Sequence, residues 1–229
     1  MLKTLVILPA YNEELNIVKT VEDILTNEPH VDYIVVNDGS GDNTLNILEE
    51  HHYNYINGFL NQGLFGAVQT GFKVALEENY DVAVQFDGDG QHLAEYIKDL
   101  VAEIEKGNDI VIGSRFVSKK KPITARMLGS RLISFCIRLV TGKKITDPTS
   151  GFRAYGRECI KLYAKDMNNP PEPDTLVYMM KSGKKIKEVQ VQMKEREFGE
   201  SYLNLANTIK YMSRMIVSIF FIQPFRKGE

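Results

Sequence analysis

Four short apolar runs, each ending in a polar loop, constrain this chain more than any other feature. They are TLVIL (4–8) before PAYNEE, YIVVN (33–37) before DGSGDNT, DVAVQF (81–86) before DGDGQH, and the apolar start of DIVIGSRF (109–116). Continuous apolar runs of this length read as strands buried on both faces, and such strands belong to parallel sheets covered by helices. Helical-period segments lie between them. Asn12 is placed to cap a helix carrying Leu15, Val18, Val21 and Leu25, a second helix starts near Leu45, and others are expected over 66–78 and 93–106. A short run near 53–57 completes the first half. The fold class expected is α/β, a Rossmann-like, mostly parallel sheet flanked by helices.

After Phe116 the pattern changes. Residues 124–141 and 174–182 read as helices, DPTSGFRAYG (147–156) as a loop, and KIKEVQVQM (185–193) as an alternating strand. From Leu203 to Ile222 an amphipathic helix is expected. The chain reads as one domain of 229 residues with three parts: 1–116, 117–200 and the C-terminal helix segment 201–229.

In open α/β sheets ligands bind beyond the carboxyl ends of the strands, so four polar strand ends on one edge mark a site. Asp87 and Asp89 are its sharpest feature. Residues two apart in extended chain point the same way, and Gly88 and Gly90 leave room for a ligand. Two carboxylates with substrate phosphates suit Mg²⁺ or Mn²⁺; the plainer reading is a solvated Asp-Gly turn. An EF-hand loop is excluded because Lys98 holds its twelfth position, and no GxGxxG follows a strand.

Charge and composition narrow the partners. A net charge of −2 argues against bulk nucleic-acid binding. Yet from Arg115 to Lys144 every charged residue is basic, which favours an anionic partner. Two cysteines without metal-like spacing, no signal-peptide pattern and no apolar run near ~20 residues lead to the expectation of a cytoplasmic protein that does not cross a membrane.

The blocks VILPAYNEE, VVNDGSGDNT, NQGLFGAVQTGF, FDGDGQH, GSRF, DPTSGFRAY and KEREFGES, in that order, resemble the family 2 glycosyltransferases of the GT-A fold. Within that family the chain is most similar to the polyprenyl- and dolichyl-phosphate sugar synthases. The resemblance implies a nucleotide-sugar pocket (UDP- or GDP-sugar) lined by Pro9, Tyr11 and Glu13, with Asp38 on the base. Asp87 would meet the ribose or the metal's water shell, Asp89 would ligate Mg²⁺ or Mn²⁺, and Gln91 would help hold the metal region. Arg115 and Arg196 would contact phosphates, while Arg126, Ser130 and Arg131 would receive an acceptor phosphate. Two positions depart from the pattern: Asn37 stands where aspartate is frequent, and Tyr202 where lysine usually follows GES.

The function expected from this resemblance is inverting, metal-dependent transfer of a sugar from a nucleotide to a polyprenyl phosphate. One rival is transfer to a sugar hydroxyl of a surface polysaccharide, with Glu172 or Asp174 as general base; Asp174 is equally placed as a plain helix cap. A second rival is a non-catalytic nucleotide-binding subunit, against which Asp87, Asp89 and Gln91 speak. Arg153 reads as a buried ion-pair or loop-ordering residue, and His92 as structural. The aromatic stripe of the C-terminal helix reads as core or homo-oligomer interface, with peripheral membrane docking or a membrane-spanning partner as the minority reading.

Overall fold

The structure, a computed structural model, describes residues 2–165, 170–195 and 205–226, leaving aside the side chains of 125–126 and 205–209. Seven strands form one sheet: β1 (Thr4–Ala10), β2 (Asp32–Asn37), β3 (Tyr55–Asn57), β4 (Val82–Gln85), β5 (Ile110–Ser114), β6 (Arg153–Gly156) and β7 (Ile186–Gln190). Their order across the sheet is β3-β2-β1-β4-β6-β5-β7. All run parallel except β6, which is antiparallel to both its neighbours. The expected mostly parallel sheet flanked by helices is what the chain forms.

Among the described residues the α-helices are α1 (Ile17–Asn27), α2 (Thr44–Glu50), α3 (Gly63–Glu77), α4 (Ile97–Glu105), α5 (Ala125–Thr141), α6 (Arg157–Lys165), α7 (Thr175–Lys181) and α8 (Leu205–Val217). A π-helical turn (Ser218–Ile222) and a 3₁₀ turn (Gln223–Phe225) follow α8. Strand side chains alternate between two cores, as the pleat requires. Val6, Leu8, Val82 and Val84 pack under α1, α2 and α4, whereas Leu5, Ile7, Ala83 and Tyr155 pack with α3, α5, α6, α7 and α8. Gly71 of α3 lies so near β1 that a β-carbon would come within 2.2 Å of Ile7, so the helix crosses the strand at close range.

Three expectations are corrected here. Asn12 does not cap the first helix: its backbone is left-handed (φ 56°), its side chain accepts the Gly41 N–H at 2.8 Å, and α1 starts only at Ile17. The buried face of α1 is therefore Ile17, Thr20, Val21 and Ile24, while Leu15 and Leu25 are exposed. The third concerns the supposed loop 147–156, whose second part is β6, wholly buried between β4 and β5. An arginine at the head of a four-residue strand hides its periodicity, because a charged residue is seldom fully buried. The C-terminal helix is observed over Leu205–Val217; Tyr202 and residues 196–204 lie outside the described residues. Met215 and Ile219 of this end are buried in the core, so one face meets the protein's own interior.

Candidate functional site

Because β1, β2, β4, β5 and β7 run parallel, their polar carboxyl ends share one edge of the sheet. The antiparallel β6 brings its amino end to the same edge. Arg153 pairs in register with Gln85, so the preceding segment 147–152 continues beside the Asp87 loop. Gly151 is the contact: a β-carbon there would lie 2.6 Å from Asp87 Oδ2. On the other side Gly88 sits against β1, where a β-carbon would come within 2.9 Å of the Pro9 carbonyl oxygen. Two glycines thus let three segments converge on one carboxylate.

The two aspartates are oriented locally. The Gln91 N–H donates to Asp89 Oδ1 at 3.1 Å, and Gln85 Nε2 approaches Asp87 Oδ1 at 3.4 Å. His92 is buried, and its Nδ1 accepts the Asp87 N–H at 3.0 Å, which leaves the proton on Nε2, 3.7 Å from Asp87 Oδ2. Burial holds the His92 pKa below the ordinary histidine value, against the pull of Asp87 and Asp89. The ring stacks on Phe152 with centroids 4.9 Å apart. His92 is thus a neutral strut for the loop, in line with the structural reading. The Gln91 side chain donates to the Lys194 carbonyl at 3.3 Å, joining the loop to the segment after β7.

Among the described residues no group of three or more His, Cys, Asp or Glu side chains could hold a metal ion. Two hard carboxylates are still a fitting donor set for Mg²⁺ or Mn²⁺, which complete their shells with water and substrate phosphate. Softer, nitrogen-preferring ions fit less well, since the nearby imidazole is turned to the backbone.

The β1 and β2 ends form a second cluster. Pro9 is buried and Tyr11 is half-exposed at the loop. Glu13 accepts the Asn16 amide at 2.7 Å, and its N–H donates to Thr44 Oγ1 at 2.9 Å. Asp38 is buried with Oδ1 accepting the Gln62 N–H at 2.9 Å, and Asn37 donates to Asn57 at 2.7 Å while accepting from Ser40. Asn37 therefore ties β2 to β3 and to its own loop through donor and acceptor together, a pairing an ionised aspartate cannot reproduce.

The basic end is organised by acids the sequence reading passed over. Arg115 makes a two-pronged ion pair with Asp147, Nε to Oδ2 at 2.7 Å and Nη2 to Oδ1 at 2.9 Å, and Asp147 is fully buried. Glu188 of β7 holds that loop by accepting the Thr146 and Asp147 N–H groups at 2.7 and 2.8 Å. Lys121 donates to Ser130 Oγ at 2.8 Å, and Ser130 also meets Thr149 at 3.2 Å. Burial keeps the Lys121 pKa below the ordinary lysine value. Arg131 is exposed and donates to the Lys121 carbonyl. The Arg126 side chain and Arg196 lie outside the described residues.

Glu172 and Asp174 are both engaged. Glu172 accepts two bonds from Arg214 of α8 at 2.7 and 2.6 Å. Asp174 occupies the N-cap position of α7 yet makes no side-chain cap; buried, its Oδ2 accepts from Ser218 and, at 3.0 Å, from Gln223. The capping role is replaced by a clasp between α7 and the turns after α8. Arg153 resolves to the loop-ordering alternative, since its guanidinium donates to the carbonyls of Ser150, Pro171 and Pro148. The sequence signal for Asp147 was its position as the first acid after the basic block; Glu188 gave none, being one of several polar residues on an alternating strand.

Comparison with known proteins bears on the family and the fold. The sequence profile of the family described as "Glycosyl transferase family 2" matches residues 5–163. The chain is 32% identical over 215 residues to the undecaprenyl-phosphate mannosyltransferase of Micrococcus luteus, spanning 89% of this chain and 88% of that protein. It is 30% identical over 226 residues to the polyprenol monophosphomannose synthase of Mycolicibacterium smegmatis, spanning 93% and 85%. Among solved structures, glucosyl-3-phosphoglycerate synthase from Mycobacterium tuberculosis, in complex with Mn²⁺, UDP and phosphoglyceric acid, superposes with a TM-score of 0.69. At 15% identity, over 100% of this chain and 80% of that one, the likeness carries the fold.

Proposed function

The chain belongs to glycosyl transferase family 2, a glycosyltransferase with the GT-A fold, and from that premise we propose that it moves a sugar from a nucleotide donor to a polyprenyl phosphate. The relatives named for undecaprenyl phosphate and polyprenol support the acceptor class. The observation that carries the choice is the state of Glu172 and Asp174, the two acids nearest in sequence to a general-base role. One is paired with Arg214 and the other is buried in a clasp. A hydroxyl acceptor needs a base to remove its proton. A phosphate monoester with a second pKa near ~6 is already a dianionic nucleophile at neutral pH.

In this reading residues 1–116 hold the donor, 117–200 the acceptor, and 201–229 form the C-terminal helical end. Pro9, Tyr11 and Glu13 line the nucleotide pocket and Asp38 takes the base. Asp87, Asp89 and Gln91 hold the donor diphosphate region through Mg²⁺ or Mn²⁺. Such an ion supplies neutralisation of the charge that builds on the departing diphosphate. Arg115 and Arg196 contact phosphates, and the charge of Arg115, preset by Asp147, favours the transition state without reorganisation. Arg126, Ser130 and Arg131, with Lys121 beside them, receive the acceptor phosphate. One of its oxygens attacks the anomeric carbon, the bond to the diphosphate oxygen breaks, and the nucleoside diphosphate leaves with the electron pair. In-line attack inverts the anomeric centre.

Among the described residues no helix is long and apolar enough to cross a membrane. A polyprenyl phosphate carries its phosphate at the bilayer surface, and peripheral association on the cytoplasmic face is part of the proposal. The test is transfer of label from a panel of UDP- and GDP-sugars into organic-phase polyprenyl phosphate, with and without EDTA. Metal-dependent, acid-labile organic label is the expected result; donor hydrolysis without lipid labelling overturns the acceptor assignment.

A further inference from the structure

Helix α5 carries more apolar surface than its core needs. Thr124 Oγ1 caps it by accepting the Met127 N–H at 3.3 Å, and Gly142 at φ 71° ends it, so the segment is a defined helix with defined faces. Its inner face buries Met127, Ile133, Cys136 and Ile137. On the other side Leu128, Leu132, Phe135 and Leu139 are 53, 45, 58 and 61% exposed. At about 100° per residue these four fall within an arc of roughly 60°. Arg131 and Arg138 border that arc on one side, and both are exposed.

Lone exposed apolar residues are ordinary, but four in one stripe on a helix already buried on its opposite face are not. The neighbourhood extends the pattern. α5 packs against α8 and the π-helical turn after it, where Phe221 and Ile222 are also exposed, as is Phe225 just beyond. From residue 115 to 144 there is no acid. A protein partner covering this stripe would have to bring complementary acids to it; an anionic bilayer offers both an apolar phase and negative headgroups.

We propose that the outer face of α5 is the surface by which the protein lies on an anionic membrane, with Leu132 and Phe135 inserted at the headgroup level. The proposal rests on the lipid-phosphate reading for its partner. It also explains the placement of the acceptor cations. Ser130, bonded to Lys121, is on the inner side of the same helix, so the phosphate-binding end stands about one helix diameter, ~10 Å, from the stripe. A headgroup phosphate entering beside α5 would reach those cations while its chain stays in the bilayer.

The test is sedimentation of the full chain with phosphatidylcholine vesicles, with and without phosphatidylglycerol, comparing wild type with L132E/F135E and R138E. Both variants change exposed residues, and equal thermal melts would show that the fold is kept. Binding that requires phosphatidylglycerol, weakened about tenfold or more in each variant, is expected, because each loses apolar transfer or headgroup attraction. Unchanged vesicle binding by L132E/F135E overturns the proposal. So does a wild-type dimer that ignores vesicles and falls apart in that variant. Turnover with a short, water-soluble polyprenyl phosphate separates the two readings: it survives in both variants if only docking is lost, and is absent from wild type if the acceptor assignment is wrong.

Discussion

Gly151 stands against Asp87 so closely that a β-carbon would lie 2.6 Å from the carboxylate oxygen. The segment before the antiparallel β6 is thereby a wall of the site, and the Asp87 carboxylate has no room to retreat towards it. Gly151→Ala should displace that carboxylate by about 1 Å, the distance that restores an ordinary contact. Misplacement on this scale costs about 10²-fold in turnover when geometry governs the reaction. Steady-state kinetics with a paired thermal melt checks this: kcat should fall by about that factor while the fold persists.

The Arg115–Asp147 pair makes a different prediction. Asp147 is fully buried, so removing its partner or the acid itself leaves an uncompensated charge or an unheld guanidinium. Asp147→Ala should destabilise the protein by about 3 kcal/mol, the lower end for a broken buried pair because Arg115 is partly exposed. Urea denaturation measures it. The same variant should raise the KM for the donor, as Arg115 loses its fixed orientation.

Asp174 separates the two acceptor readings. As a clasp on Ser218 and Gln223 it contributes to stability, and the proposed phosphate acceptor asks no proton transfer of it. Asp174→Asn should melt at lower temperature yet keep turnover within about twofold, since the lost charge-assisted bonds are worth ~1.5–3 kcal/mol of folding energy. Turnover abolished in a fully folded Asp174→Asn would restore the general-base role.

Much of this was legible before the fold was seen. The four apolar runs and their polar ends gave β1, β2, β4 and β5 and the edge on which ligands sit, because a strand buried on both faces leaves an unmistakable apolar run. The β6 strand was not legible. It is four residues long and begins with Arg153, whose guanidinium is satisfied in the core by two carbonyls of the loop just before it and by that of Pro171. Glu188 was hidden for a related reason: on an alternating strand a carboxylate that organises Asp147 looks the same as one facing water. The Asn12 cap failed because its side chain found a better partner across the edge, in the loop after β2.

Lys121 should confer a pH dependence. Burial lowers its pKa, with Asp147 and Glu188 opposing and Arg115 and Arg131 reinforcing. A lysine with a lowered pKa loses its charge at a lower pH than an ordinary one. Acceptor affinity should therefore fall on the alkaline limb earlier than for a solvent-exposed cation. Lys121→Met should weaken the acceptor KM roughly tenfold, the value of one bond to a charged group, and flatten that limb. Lys121→Arg should keep affinity to higher pH.

The cysteines should be silent. Cys136 and Cys159 are buried and unpaired, and burial pushes the Cys159 thiol up to about 12. Reaction requires the thiolate. A thiol reagent at mildly alkaline pH should label neither in the native protein and both after denaturation; rapid native labelling would contradict the packing of α5 and α6.

The most direct measurement offers the enzyme a polyprenyl phosphate and the matching polyprenol together with one labelled nucleotide sugar, and reads the products by mass spectrometry. Sugar attached through phosphate, with the alcohol untouched and no product from Asp89→Ala, is the predicted result. Sugar on the alcohol, or on neither lipid while a saccharide hydroxyl is glycosylated, would contradict it.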